Sequence, residues 1–142
     1  MNGRIVLGYD ASPSANAALA QTIALASQTG SRVDVVFGLY ISPLGGTAGG
    51  SVREALAAVG EHALARARAD LEAAGIEVET HIAQGKPADV ILAVAEKVGA
   101  SLIAVGTVGE EPISGALFGS VVLRLVQRSK IPLLVVPTPE HG

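Results

Sequence analysis

Cysteine is absent from this 142-residue chain. Its absence excludes disulfides, a thiol nucleophile and thiolate metal sites together. Tryptophan is absent as well, and two tyrosines and two phenylalanines are the whole aromatic content. So few aromatic faces argue against a platform that stacks nucleic-acid bases. They also require a core of Ala, Val, Leu and Ile. Charge is scarce, with 16% Asp, Glu, Lys and Arg and a net charge of −3. An acidic chain of this kind is poorly suited to phosphate backbones, which are bound by basic surfaces. His62, His81 and His141 are scattered, without a carboxylate at an evident metal-ligand spacing, so no structural metal site is expected. MNGR leads into IVLGY, an apolar run too short for a signal peptide. No stretch approaches the ~20 apolar residues of a membrane span. The expectation is a cytoplasmic protein with neither a nucleic acid nor a membrane as partner.

What is present in quantity is aliphatic. Hydrophobic residues make up 49% of the chain, enough for one packed domain over residues 1–142. RIVLGY (4–9) reads as a buried strand. Ser12 and Pro13 then have the character of a helix N-cap and first helical residue. The helix runs to Gly30, a natural residue to follow a helix end. RVDVVFGLY (32–40) is a second strand, followed by a glycine-rich loop. A long helix over 52–74 repeats small and aliphatic residues at three- or four-residue spacing. Gly60 inside it costs about 1 kcal/mol relative to Ala. IEVETHI (76–82) alternates with one polar face, which places it at a sheet edge. Gly85-Lys86-Pro87 introduces a third helix to about Val98, and LIAVG (102–106) is an uncharged strand. A fourth helix starts near Gly119 or Ser120, with Arg128 and Lys130 in or just past its last turn. PLLVVP (132–137) closes the chain as a fifth strand.

Strands alternating with helices predict an open, doubly wound, five-stranded parallel sheet with helices on both faces, a Rossmann-like α/β fold. In the order 3-2-1-4-5, winding reverses between strands one and four. Ligands bind there, beyond the carboxyl ends of the strands. Asp10 and the segment GTVGEEPISGALFGS (106–120) meet at that point. Gly106 and Gly109 allow the backbone to approach an anion, and Gly119-Ser120 stands at a helix start whose N–H groups face the site. Glycines also serve turns and close packing. Asp10 also suits an Asx turn, and Ser120 also suits an N-cap.

The spacing Gly106-x2-Gly109-x9-Gly119-Ser120 resembles the Gly-x2-Gly-x9-Gly-Ser/Thr pattern of nucleotide-binding universal stress proteins. The likeness extends to IVLGYDASPSANAAL, GKPADVIL, SLIAVGT, LFGSVVLRLV and KIPLLVVP, nearly the whole chain. The resemblance implies a dimeric five-stranded α/β protein, order 3-2-1-4-5, that binds ATP or another adenine nucleotide, with Mg²⁺ as a possible companion. It implies Asp10 beside the ribose or the metal, and backbone groups of Gly38 or Leu39 at the adenine. It further implies Gly106, Gly109, Gly119, Ser120 and Val121 around the phosphates. One branch of the family lacks the motif and binds no nucleotide. Val108 stands where Arg is frequent, Glu110 and Glu111 follow Gly109, and no Lys or Arg occurs from Ile103 to Leu123. No side chain is marked as a tuned base, so dedicated catalysis is not expected and slow ATP hydrolysis is the most the pattern allows. An uncharged PLLVVP edge strand invites pairing with a second copy.

Overall fold

The computed structural model describes residues 3–40, 50–107 and 119–139. Nine elements alternate along the chain: β1 (Arg4–Gly8), α1 (Pro13–Thr29), β2 (Arg32–Leu39), α2 (Gly50–Ala73), β3 (Val78–Gln84), α3 (Pro87–Val98), β4 (Leu102–Gly106), α4 (Ser120–Arg128) and β5 (Leu133–Val136). The strands form one sheet in the order β3-β2-β1-β4-β5. All four pairings are parallel. The predicted fold class and strand order are those observed.

Strand alternation divides the core in two. Ile5, Leu7, Val33, Val35 and Ala104 point to one face, where Ala18, Leu19 and Ala26 of α1 and Leu64, Ala67 and Leu71 of α2 cover them. Val6, Val36, Ile103 and Val105 point to the other, beneath Ile91, Val94 and Ala95 of α3 and Val122 and Leu125 of α4. Strands buried on both faces need apolar residues at every position, and β1 and β4 supply them.

Helix ends follow from local chemistry. The Ser12 hydroxyl accepts the Ala15 amide at 3.1 Å, Pro13 stands at the first helical position, and Gly30 closes α1 at φ 70°. At the end of α2, Gly75 takes φ 78° and the Ile76 amide donates to the Leu71 carbonyl at 3.1 Å. Ile76 therefore belongs to the terminal turn of α2, packed into the core, and β3 begins at Val78 rather than at the expected Ile76. Its edge position is as expected, whereas its burial does not alternate strictly, with Thr80, His81 and Ile82 all half-buried.

Candidate functional site

β1 and β4 are neighbours whose chains leave toward opposite faces of the sheet, so a crevice opens between their carboxyl ends. The β1–α1 turn forms one lip. The Asp10 carboxylate accepts the Ser12 amide at 3.0 Å, an Asx turn that aims the chain into α1. Between them Ala11 holds φ 66°. A left-handed residue other than Gly costs about 1–2 kcal/mol, and such strain collects at functional sites. Sequence gives no sign of it, because Ala is among the residues that avoid this region.

Tyr9 is buried behind this turn and its hydroxyl donates to Asn16 Oδ1 at 2.6 Å. Burial pushes the Tyr9 phenol above its ordinary pKa; Arg66 opposes the shift, while Asp70 and Asp10 add to it. The phenol therefore remains a proton donor.

The opposite lip is the start of α4. Gly119 is its N-cap, at φ −70° and ψ 164°, and Ser120 is the first helical residue rather than the cap. Gly119 is buried, offers no side chain to cap the helix, and its own amide donates to the Thr107 carbonyl at 2.8 Å. The first amide with an acceptor inside the helix belongs to Leu123, bonded to the Gly119 carbonyl at 3.1 Å. The amides of Ser120, Val121 and Val122 thus have no acceptor within α4 and point out of its N-terminus.

The crevice has an apolar inner end and a more polar mouth. Gly8, Tyr9, Phe37, Ile91, Val105 and Val122 line the inner end. Asp10, Leu39, Tyr40, Leu56, Val59 and Ser120 line the mouth. Gly38, Pro87, Gly119 and Val121 border both. Of the residues expected at a site, Asp10, Gly38, Leu39, Gly106, Gly119, Ser120 and Val121 are therefore brought to one cleft. Gly109, Glu110 and Glu111 lie outside the described residues, as does most of the loop after β2.

Two of the expected glycines have a packing reason as well. A Cβ on Gly106 would lie 2.5 Å from the Ser14 carbonyl oxygen, so β4 and α1 approach only without a side chain there. A Cβ on Gly38 would lie 2.7 Å from Pro87 Cα, so β2 and the start of α3 close the cleft floor on the same terms. The Leu39 carbonyl already accepts the Gly85 amide at 3.0 Å. Sequence reasoning missed Tyr9, Phe37, Pro87 and Ile91, whose only signal is apolar character near a strand or helix end.

A carboxylate–histidine cluster does exist, away from the cleft. Asp34 on β2 and Glu79 and His81 on β3 bring their ligand atoms within 4.8 Å of one another. The sequence shows no carboxylate at an evident metal-ligand spacing from a histidine, but the pairing of two adjacent strands sets Asp34 opposite Glu79, with His81 two residues on, and gathers these groups in space. Asp34 is fully buried and is held by Arg4 in a fork, Nε–Oδ2 3.1 Å and Nη2–Oδ1 2.9 Å, with His81 Nε2 2.9 Å from Oδ1. Burial alone would raise the Asp34 carboxyl, but hydrogen bonds from Arg4 and His81 outweigh it and hold the group below its ordinary pKa. Arg4 occupies both oxygens, so the cluster is a satisfied ionic network.

The fold is an open doubly wound α/β sheet with a cleft at its switch point, the place where ligands bind in folds of this kind. The chain belongs to the universal stress protein family, whose model matches residues 1–137. It is 32% identical over 141 residues to universal stress protein MJ0531 of Methanocaldococcus jannaschii, covering 96% of this chain and 83% of that protein. The fold is similar to that of protein MJ0577, with a TM-score of 0.87 at 23% identity over 97% of each chain. It is also similar to a universal stress protein in complex with cAMP, with a TM-score of 0.76 at 26% identity, covering 96% of this chain and 98% of that one. Among the described residues, no helix is long and apolar enough to cross a membrane.

Proposed function

We propose that this universal stress protein is an adenine-nucleotide-binding regulatory protein that acts as a dimer, its bound state altering contacts with other proteins. The observation that carries the reading is the cleft itself, with an apolar inner end beside the outward-pointing amides of α4. That arrangement suits a flat base joined to an anionic group. In this reading Gly38 and Leu39 border the base and Asp10 faces the ribose. Gly106, Gly109, Gly119, Ser120 and Val121 surround phosphate. A structural relative in complex with cAMP supports the same ligand class. ATP with Mg²⁺ belongs to that class; Asp10 would be the protein's carboxylate toward an ion carried in by the nucleotide.

The role is binding rather than dedicated catalysis. Asp10 is the one carboxylate among the described lining residues, and it already accepts the Ser12 amide. Dimerisation is assigned to β5, an edge strand of Leu133, Leu134, Val135 and Val136. Beside it, α4 exposes Leu123 (49%) and Val126 (61%).

The reading is tested by titration calorimetry of adenine nucleotides against the wild type and Gly119→Val. The φ and ψ of Gly119 are open to any residue, so valine meets no backbone conformational penalty there, and it adds a side chain at the start of α4. At least a tenfold loss of affinity is expected. Equal, weak binding by both proteins would leave a dimeric interaction protein with a differently used cleft.

A further inference from the structure

Granted that the cleft takes an adenine nucleotide, we infer that it selects one carrying a single phosphate, as an open or a cyclic ester, over di- and triphosphates. Sites that hold triphosphates supply cationic side chains and a metal to meet the charge. Here no Lys or Arg is among the described residues lining the cleft, and Asp10 is its one charged side chain. Nor do the flanking segments 41–49 and 108–118 contain a Lys or Arg; the second contributes Glu110 and Glu111 to the chain.

The two arginines of α4 are directed to Asp89. Arg124 forks onto Asp89, Nε–Oδ1 2.8 Å and Nη2–Oδ2 3.2 Å. Arg128 lies 4.0 Å from the same carboxylate, and the charge of Lys86 also acts on it. What faces the cleft is the start of α4, equivalent to about half a positive charge. Its three amides, of Ser120, Val121 and Val122, match the oxygens of one phosphate. A cyclic monophosphate brings about one negative charge and an open one about two, whereas a triphosphate brings about four. Each phosphate beyond the first adds charge facing Asp10 without meeting a Lys or Arg among the described lining residues.

The test is calorimetry at low ionic strength with adenosine, AMP, 3′,5′-cyclic AMP, ADP and ATP, each with and without Mg²⁺. AMP or cyclic AMP should bind at least tenfold more tightly than ATP, with ADP between and adenosine weaker than the preferred monophosphate. The AMP and cyclic AMP arms separate the open ester from the cyclic one. Mg²⁺ should leave the monophosphate affinity unchanged. Ser120→Lys, which adds a cation at the exposed mouth, should narrow the gap to ATP at least threefold. ATP binding as tightly as the better monophosphate, with or without Mg²⁺, would overturn the inference. So would adenosine binding as tightly as AMP and cyclic AMP, or a gap that Ser120→Lys does not move. Absence of binding by every probe, adenosine included, would instead remove the adenine-nucleotide reading, and the single-phosphate preference with it.

Discussion

The Gly119 amide donates to the Thr107 carbonyl at 2.8 Å, tying the first residue of α4's cap to the end of β4. Eleven residues, 108–118, separate the two partners in sequence. The bond fixes where α4 begins and therefore where its outward amides sit relative to the β1–α1 turn. Placement of the α4 N-terminus thus depends on the two ends of this segment.

Gly60 lies inside α2, where replacing glycine with alanine ordinarily gains about 1 kcal/mol. Here a Cβ would lie 2.5 Å from the Phe37 ring and 2.9 Å from Ile82 Cδ1. Phe37 also lines the cleft. Gly60→Ala should therefore destabilise the protein by about 1–3 kcal/mol in urea denaturation, the usual cost of overpacking. It should also weaken nucleotide binding by displacing that ring. Stabilisation by the helix-propensity increment would contradict the packing account.

Asp34 sets an acid limit on stability. Its carboxyl titrates below its ordinary value in the folded chain because Arg4 and His81 hydrogen-bond the charged form. A depressed folded pKa contributes stability that is complete above the unfolded value, near about pH 4, and is lost as pH falls through the folded one. Denaturant midpoints should fall below about pH 4 in the wild type and fall less steeply in Asp34→Asn. That variant should lose about 1.5–3 kcal/mol at neutral pH, the range for hydrogen bonds to a charged group. Parallel acid profiles would show that the network is not the source of the slope.

Thr22 is fully buried in α1, and its hydroxyl has no hydrogen-bond partner among the described residues. Replacing it with the similarly shaped valine removes an unsatisfied polar atom, which costs about 1–3 kcal/mol to bury. Thr22→Val should raise the thermal midpoint, as read by calorimetry. A fall would show that the hydroxyl is satisfied in solution.

The β5 edge should hold two copies together. Multi-angle light scattering at micromolar concentration should give twice the chain mass, and Val126→Glu on the exposed face of α4 should shift the population toward monomer. A wild-type monomer under these conditions would contradict the assignment.

Much of the fold was legible because local signals and burial agreed. LIAVG has no charge and is a strand buried on both faces, residue for residue as expected. Ser12-Pro13 reads as a helix start and is one. An error arose where tertiary packing assigned a residue elsewhere. Ile76 has strand character but serves the α2 terminal turn; the start of α4 falls at Gly119 and Ser120 as expected, with Gly119 as the cap. The site was legible as a topological meeting point, which brought Asp10 and the Gly106–Gly119 ends together. Its apolar inner end was not, because Phe37, Pro87 and Ile91 belong to three segments that only the folded sheet gathers. The Arg4–Asp34–His81 network was hidden for the same reason, since its members are 30 and 47 residues apart. Gly38 and Gly106 were read as ligand-facing, whereas sequence alone carries no trace of their approach to Pro87 and Ser14.

The account's central claim is that the cleft between β1 and β4 binds an adenine nucleotide through the start of α4. Calorimetric titration of AMP into the wild type and into Gly119→Val tests it most directly. The account predicts saturable one-to-one binding per chain in the wild type and at least tenfold weaker binding in the variant, with the two proteins unfolding at similar temperatures. Binding of equal strength in both, or in neither, would contradict it.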